Sequence, residues 1–214
     1  IEGCNVIAVD IADLGPTPDG QGEGEADLNN NYGWETYGGM IRDAYLELRS
    51  CAYIENLRFA YTLSDGYHEA ACQTRVFLST AGPAKGALRV TLRDGTRAVA
   101  AAEQQVTLTV GQSEVDLEFR VRSPALWSPE SPTLYQLTAE LETEHGADAL
   151  STRTGFRSFA VRGNTFELNG KPVVLNGVCR HDMWKDQGLT LSREQMARDM
   201  RLIKDLGCNF VRLV

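Results

Sequence analysis

The sequence has little positive charge, no long apolar segment and no paired cysteines, and each shortage excludes a class of protein. Its 21 Lys and Arg residues stand against 29 Asp and Glu residues, which gives a formal net charge of −8. Because no basic stripe is present to neutralise phosphates, we expect no nucleic-acid partner. The longest apolar stretches, such as Val173–Leu175, are far too short to cross a bilayer, so we expect no membrane partner.

Motifs that hold metals, disulfides or phosphates are also absent. The five cysteines are odd in number and scattered, with no Cys-x-x-Cys pair, so we interpret them as reduced, small apolar residues. The sequence has no phosphate-binding glycine loop, no His-Glu-x-x-His motif and no nucleophile elbow. We therefore expect no cofactor and no metal site in this chain, while a divalent or monovalent metal ion in a complete enzyme stays an open alternative.

What the sequence does contain falls into three regions, of which residues 1–52 predict the remnant of a β domain. Cys4–Ile11 and Met40–Leu48 have the composition of strands, and the acidic stretch Gly15–Asp27 between them is too polar to be buried. Two strands do not form a stable sheet alone. We therefore expect the other strands of this domain to precede Ile1, where the chain begins without a methionine.

Residues 53–162 predict an antiparallel β-sandwich of the immunoglobulin type. Short runs of alternating apolar and polar residues are separated by turn signals, with little helical pattern between them. In one run Val115, Leu117, Phe119 and Val121 alternate with charged residues, which predicts a strand with one buried face. The predicted strands are Leu57–Leu63, Thr74–Ser79, Ala87–Asp94, Glu114–Ser123 and Leu134–Thr143.

Residues 163–214 predict a hairpin followed by a strand, a helix and a second strand. Ser192 and Gln195 form a capping box at the helix start, and apolar residues recur at helical spacing after it. A strand, a helix and a strand in so few residues indicate a right-handed βαβ unit, which needs the rest of a parallel fold to cover its faces. The predicted elements are the turn Asn169-Gly170, the strand Val173–Val178, the helix Ser192–Leu206 capped by Gly207, and the strand Asn209–Val214.

Candidate functional residues follow the two predicted strands of this unit. Functional groups of parallel α/β folds gather at the carboxyl ends of strands, which here carry Cys179–Asp182 and Arg212. Arg212 interrupts an apolar strand where both faces should be buried, so it needs a carboxylate partner, which we expect beyond Val214. Two other interpretations stay open: His181 bonds a backbone carbonyl at a strand end, and Arg212 closes a structural ion pair.

The stretch from Trp127 to Val214 resembles glycoside hydrolase family 2, the family of β-galactosidases, β-glucuronidases and β-mannosidases. The similar segments are "LWSPESPTLY" (Leu126–Tyr135), "TGFRSFAV" (Thr154–Val161), "FELNGKPVVLNGVCRHD" (Phe166–Asp182), "MARDMRLIKDLGCNFVRLV" (Met196–Val214) and, upstream, "YGGMIRDAYLEL" (Tyr37–Leu48). The resemblance implies a mainly β chain in three parts. Residues 1–52 would end a jelly-roll sugar-binding domain, 53–162 would form the immunoglobulin-like β-sandwich, and 163–214 would begin a (β/α)8 TIM barrel with its first βαβ unit.

The resemblance also implies a function, that of a retaining β-glycosidase similar to β-galactosidase, with this chain as an internal fragment. Such enzymes use two carboxyl groups about 5–5.5 Å apart, one as nucleophile and one as acid/base. The family's two glutamates follow the second barrel strand, so we expect them beyond Val214 and expect the fragment alone to be inactive. By the same resemblance His181 contacts the sugar in the transition state, Arg212 bonds the nucleophilic glutamate, and Asp182 lies at the rim of the substrate pocket.

The partner expected from this resemblance is a carbohydrate substrate, a β-glycoside. The compartment is left open, with the bacterial cytoplasm or periplasm favoured. Assembly of the full-length enzyme into a homo-oligomer stays open. The competing hypothesis is a non-catalytic carbohydrate-binding or scaffolding β-sandwich protein, which would have no reason to begin a barrel or to place Arg212 in a strand. Cys179 and Met183-Trp184 depart from the family pattern, so the sugar itself is left open.

Overall fold

The computed structural model describes residues 7–10 and 40–213, which fall into two compact units. The larger unit holds Glu47–Val178 with Leu206–Val211, and the smaller one holds Cys179–Asp205 with the described parts of Ile1–Leu46 and Arg212–Val214. The strands are β1 (Ala52–Leu63), β2 (Glu69–Thr80), β3 (Ala84–Asp94), β4 (Arg97–Leu108), β5 (Gly111–Arg122), β6 (Tyr135–Thr143), β7 (Gly146–Thr154), β8 (Phe159–Arg162), β9 (Thr165–Leu168), β10 (Lys171–Val173), β11 (Gly177–Arg180) and β12 (Phe210–Leu213). The helix α1 spans Arg193–Asp205, and a short 3₁₀ turn spans Asp65–Tyr67.

The first seven strands form an immunoglobulin-like sandwich, as the sequence predicts. One sheet has the order β1-β2-β5 and the other the order β4-β3-β6-β7, with antiparallel pairing throughout. Leu117, Phe119 and Val121 of β5 are buried while the charged residues between them are exposed, which confirms the predicted alternation. The largest fully buried side chains of the core are Phe156, Ile54, Leu78, Leu88, Leu92, Leu137, Leu141, Val76 and Val90.

A tyrosine hydroxyl fixes the crossing from β5 to β6. Tyr135 begins β6 and is buried, and its hydroxyl accepts a hydrogen bond of 2.8 Å from the backbone N–H of Ala125. Its ring also packs edge-on against Phe156, with 5.2 Å between the ring centroids. A tyrosine that bonds back to the backbone at this corner is typical of immunoglobulin-like sandwiches.

Cys72, on the inner face of β2, provides a test of the sandwich core. Burial raises the pKa of its thiol from 9.0 to about 11, whereas Cys51 is exposed. Because alkylation needs the thiolate, we expect Cys72 to react with iodoacetamide at pH 8 at least about 100-fold more slowly than Cys51, measured by peptide mass spectrometry. The folded protein holds this proton more tightly than the unfolded one. The Cys72 thiol therefore makes its full contribution to the free energy of unfolding below pH 9, the pKa of the thiol in the unfolded chain. This contribution is lost as the pH rises towards 11, its pKa in the folded protein. Equal labelling of the two cysteines would contradict the buried position.

A small three-stranded sheet, β8-β9-β10, follows the sandwich in the larger unit. Its turn is the predicted one, with Asn169 and Gly170 both at positive φ (53° and 72°). The Asn169 side chain accepts a hydrogen bond from the Ser158 N–H and donates one to the Trp127 carbonyl, at 2.9 and 3.0 Å. The turn is thereby attached to the segments before β6 and before β8.

The single strand predicted at Val173–Val178 is wrong. The run is divided between β10, which ends at Val173, and β11, which begins at Gly177. Between them Asn176 leaves the first sheet, its N–H bonded to the Asn209 side chain at 2.8 Å. β11 instead neighbours β12 in a two-stranded sheet, and a Cβ at Gly177 would lie 2.8 Å from the Phe210 carbonyl oxygen. Apolar composition predicts a strand but does not reveal that the chain changes partners halfway.

The helix α1 matches its prediction closely. The Ser192 N–H donates to the Gln195 side-chain oxygen at 2.7 Å, and the Gln195 N–H donates to the Ser192 hydroxyl at 3.3 Å, which is the predicted capping box. Gly207 has φ +81°, as its predicted capping role requires. The strand, helix and strand order of the sequence prediction is therefore confirmed in β11, α1 and β12.

The described part of residues 1–52 does not form the strands predicted there. The segment Met40–Leu48 is exposed and forms no strand, so that prediction is wrong; no described strand pairs with it, and an isolated strand gains no ladder hydrogen bonds. Of the predicted strand Cys4–Ile11 only residues 7–10 are described, and these form no strand. The Gly15–Asp27 stretch lies outside the described residues. Within residues 7–10 and 40–213, no helix is long and apolar enough to span a membrane.

Candidate active site

The most deeply buried charge near the predicted site belongs to Arg180, the last residue of β11. Its side chain is 8 % exposed. Its Nε and Nη2 donate to Asp199 Oδ2 of α1 at 3.1 and 2.7 Å, and its Nη1 donates to Asp182 Oδ1. Burial lowers the pKa of this guanidinium, but the bonds to Asp199 and Asp182 more than offset that, so its pKa is raised. Arg180 therefore stays charged and joins β11 to the helix.

Asp182 is shared between two arginines. Its Oδ1 accepts from Arg180, and its Oδ2 accepts from Arg42 Nη2 at 2.7 Å. Arg42 comes from the exposed segment Met40–Leu48, and its Nη1 also donates to the Leu189 carbonyl at 2.9 Å. Each carboxylate oxygen retains a further lone-pair site, so the contacts leave room for another donor. Asp182 as a substrate-binding residue stays a prediction.

His181 lies directly after β11, at the carboxyl end of the strand, and is exposed. Its carbonyl accepts a hydrogen bond of 2.9 Å from the Met183 N–H, which turns the chain away from the strand direction. The residue is thus flanked on both sides by members of the ion-pair chain, Arg180 and Asp182. His181 therefore lies at the carboxyl end of β11, and its contact with a sugar stays a prediction.

The carboxylate partner expected for Arg212 beyond Val214 stays a prediction. Arg212 is exposed in β12, and its Nη1 contacts Cys179 Sγ at 3.8 Å. Cys179 and Arg212 lie on the neighbouring strands β11 and β12, so the structure brings these two candidates together at one end of the sheet. Among the described residues, the buried arginine that pairs with carboxylates is Arg180. Sequence alone could not distinguish the two because each follows an apolar strand run.

One signal could have identified the Arg180 partner. Asp199 lies between Met196 and Ile203 at helical spacing, so it interrupts the apolar stripe of α1. A carboxylate on the apolar face of a helix needs a cation, and the nearest buried one is at the end of β11. Arg42 gives no comparable signal, because the composition of its segment, Met40–Leu48, predicts a strand. In the part of the chain that the structure describes, no group of three or more His, Cys, Asp or Glu side chains could hold a metal ion.

Two family models match the chain, one after the other. The model described as "Glycosyl hydrolases family 2" matches residues 52–157, which contain the sandwich, and "Glycosyl hydrolases family 2, TIM barrel domain" matches residues 159–214, which contain the candidate site. The chain belongs to glycosyl hydrolase family 2. The predicted family and fold class, a family 2 β-sandwich followed by the start of a TIM barrel, are thereby confirmed.

Relatives within glycosyl hydrolase family 2 carry several specificities. A candidate β-glucuronidase of Formosa agariphila is 32% identical over 180 residues, covering 83% of this chain and 21% of the relative. A β-galactosidase of Halalkalibacterium halodurans is 29% identical, covering 82% of this chain and 17% of the relative. The crystal structure of a Bacteroides uniformis β-glucuronidase superposes with a TM-score of 0.71 at 28% identity, covering 77% of this chain and 21% of that one. The chain thus spans about a fifth of the length of these relatives.

Proposed function

We propose that this chain is part of a retaining β-glycosidase that hydrolyses β-galactosides or a related β-hexoside. The observation that carries the proposal is the unit β11–α1–β12, which lies in the segment matched by the TIM-barrel model and places His181 and Arg212 at strand ends. Active-site residues of such barrels come from the ends of the strands. The division into 1–52, 53–162 and 163–214 as jelly-roll, sandwich and barrel parts belongs to the same proposal.

In the proposed enzyme the residues of this chain support chemistry performed by two carboxyl groups elsewhere. His181 would donate or accept a hydrogen bond to the sugar as positive charge develops on the ring. Arg212 would leave the weak contact with the Cys179 thiol for the nucleophilic carboxylate, because a charged acceptor bonds a guanidinium more strongly than sulfur does. A cation there keeps the nucleophile ionised and in place. Asp182, at the rim of the substrate pocket, would accept a hydrogen bond from the sugar with one of its remaining lone pairs.

The sugar is the point on which the relatives differ. Two of them are named for glucuronide and galactoside cleavage, respectively. A uronide substrate needs a cation for its carboxylate, yet Arg42 and Arg180 are already paired with Asp182 and Asp199. The contacts within the described residues therefore favour a neutral hexoside, and a uronide would need a cation from another part of the enzyme.

The test is hydrolysis of a panel of aryl β-glycosides by the complete protein. The panel holds the galactoside, glucuronide, galacturonide, mannoside, glucoside and fucoside, and NMR of the first-formed sugar distinguishes retention from inversion. We expect turnover of the galactoside with retention. An extract of a host that lacks the gene, purified in the same way, is the control for host glycosidases. Turnover of none of the panel would overturn the proposal in favour of a carbohydrate-binding role, and inversion would overturn the mechanism.

A further inference from the structure

A single guanidinium holds both ends of the loop that follows β11. This loop, residues 181–192 and here termed the β11–α1 loop, joins β11 to the helix. Arg42 Nη2 donates to the carboxylate of Asp182 at its start, and Arg42 Nη1 donates to the carbonyl of Leu189 near its end. The two contacts measure 2.7 and 2.9 Å. A planar guanidinium with donors in a fixed fork can span two acceptors in this way.

Between those two ends the loop is ordered by its own hydrogen bonds. The Trp184 N–H donates to the Gly188 carbonyl at 2.8 Å, and the Gly188 N–H donates back to the Trp184 carbonyl at 2.9 Å. Arg198 of α1 lies over the Trp184 ring, with 6.0 Å between the guanidinium carbon and the ring centroid. Because these bonds make the loop rigid, its position depends on the contacts at its two ends. Those contacts, here termed the anchors, therefore position His181 at the start of the loop.

The anchors form a chain of alternating charges with a buried end and an accessible end. Asp199 binds Arg180, Arg180 binds Asp182, and Asp182 binds Arg42. Arg180 is 8 % exposed, whereas the Arg42 side chain is 51 % exposed. An exposed pair contributes little to the free energy of unfolding, so removing Arg42 should leave the fold intact and alter mainly the loop.

We propose that Arg42 is a positioning residue for His181, acting through Asp182 and Leu189 on the β11–α1 loop. The inference rests on the proposed function, since a positioned His181 has a catalytic use only in a glycosidase. Arg42 itself need not touch the substrate. Its removal should reduce the precision with which His181 meets the transition state, and a displacement of about 1 Å can cost up to 10²-fold in rate.

The test compares Arg42→Met with the matched control Arg120→Met in the complete enzyme. Arg120 is an exposed arginine of the sandwich that pairs with Glu69 at 2.6 Å. Its replacement removes the same kind of arginine–carboxylate pair at a position far from the loop along the chain. We expect Arg42→Met to lower kcat about 10-fold with KM and Tm unchanged, and Arg120→Met to change none of them. Arg42→Lys should recover less than half of the loss, because one ammonium is a point charge and does not replace the fork.

A second measurement reports the loop without any substrate. Lys185 is an exposed residue of the β11–α1 loop, so endoproteinase Lys-C cleavage after Lys185 measures how often the loop opens. We expect Arg42→Met to accelerate this cleavage at least about fivefold, with cleavage unaffected in Arg120→Met. If the unsubstituted enzyme hydrolyses no glycoside, the proposed function fails, while the Lys-C comparison still decides whether Arg42 anchors the loop.

Four results would overturn the inference. One is an Arg42→Met variant with kcat within twofold of the unsubstituted enzyme. Another is a lower kcat with an unchanged rate of Lys-C cleavage, since the effect would then not pass through the loop. The third is a lower kcat accompanied by a lower Tm, which would make Arg42 a residue needed for folding. Full recovery by Arg42→Lys would show that charge alone suffices and would likewise exclude the two-ended bridge.

Discussion

Replacement of His181 by alanine in the complete enzyme is expected to lower kcat/KM about 100-fold, equivalent to roughly 2.7 kcal/mol of transition-state stabilisation. The residue directly follows β11 and is exposed, so alanine removes the imidazole without opening a cavity. Because the proposed contact forms as charge develops on the sugar ring, kcat should fall with kcat/KM while KM changes little. Steady-state kinetics on the best aryl glycoside of the panel measures kcat and KM, and a thermal melt checks that the fold is unchanged.

The matched control is His145→Ala. His145 is an exposed histidine of the sandwich, and its ring bonds the Pro83 carbonyl at 3.1 Å. It lies in the segment matched by the first family model, outside the barrel part. Its loss should leave kcat/KM within about twofold. A His181→Ala variant that keeps more than a third of the activity would refute the assigned contact, and an effect on KM alone would reassign it to ground-state binding.

Strands with a regular alternation could be predicted from the sequence, whereas strands without it could not. The run of Val115, Leu117, Phe119 and Val121 determined one face of β5 and was predicted correctly. β4 begins Arg-Ala-Val-Ala-Ala-Ala and β7 begins Gly-Ala-Asp-Ala, and small residues of low strand propensity give no signal of their own. Both become strands because β3 and β6 offer them ladder partners along their full lengths.

The candidate site divides in the same way between local and tertiary information. The capping box of Ser192 and Gln195 is local, so the helix start was predictable to within a residue. The identity of the buried cation is not local, because Arg180 and Arg212 both follow apolar runs and Arg180 differs by its pairing with Asp199 and Asp182. Arg42 is 140 residues away from Asp182 in the chain, and no spacing rule relates them. Long-range ion pairs of this kind therefore cannot be predicted from sequence pattern alone.

The largest effect on stability is expected from Gly86→Ala in the sandwich. Gly86 lies in β3 opposite Thr143 of β6, and a Cβ there would overlap the Glu142 carbonyl oxygen and lie 2.8 Å from the Glu142 carbonyl carbon. These are backbone atoms of the neighbouring strand, so no side-chain rotation can relieve the overlap. Either β6 moves away or the last ladder bonds of the pair break, and we expect a loss of at least about 3 kcal/mol of unfolding free energy.

Thermal and urea melts of the chain compare Gly86→Ala with Gly82→Ala. A Cβ at Gly82 would have only the Cys51 sulfur nearby, at 3.6 Å, which is ordinary van der Waals contact. Gly82→Ala should therefore leave Tm within a few degrees, since the loss of glycine's freedom in the unfolded chain offsets any small strain. Gly86→Ala should lower Tm by roughly 12–24 °C for a loss of about 3 kcal/mol, given about 4–8 °C per kcal/mol for a domain of about 100 residues. Equal melting of the two variants would contradict the β3–β6 register, because only that register brings the Glu142 carbonyl against Gly86.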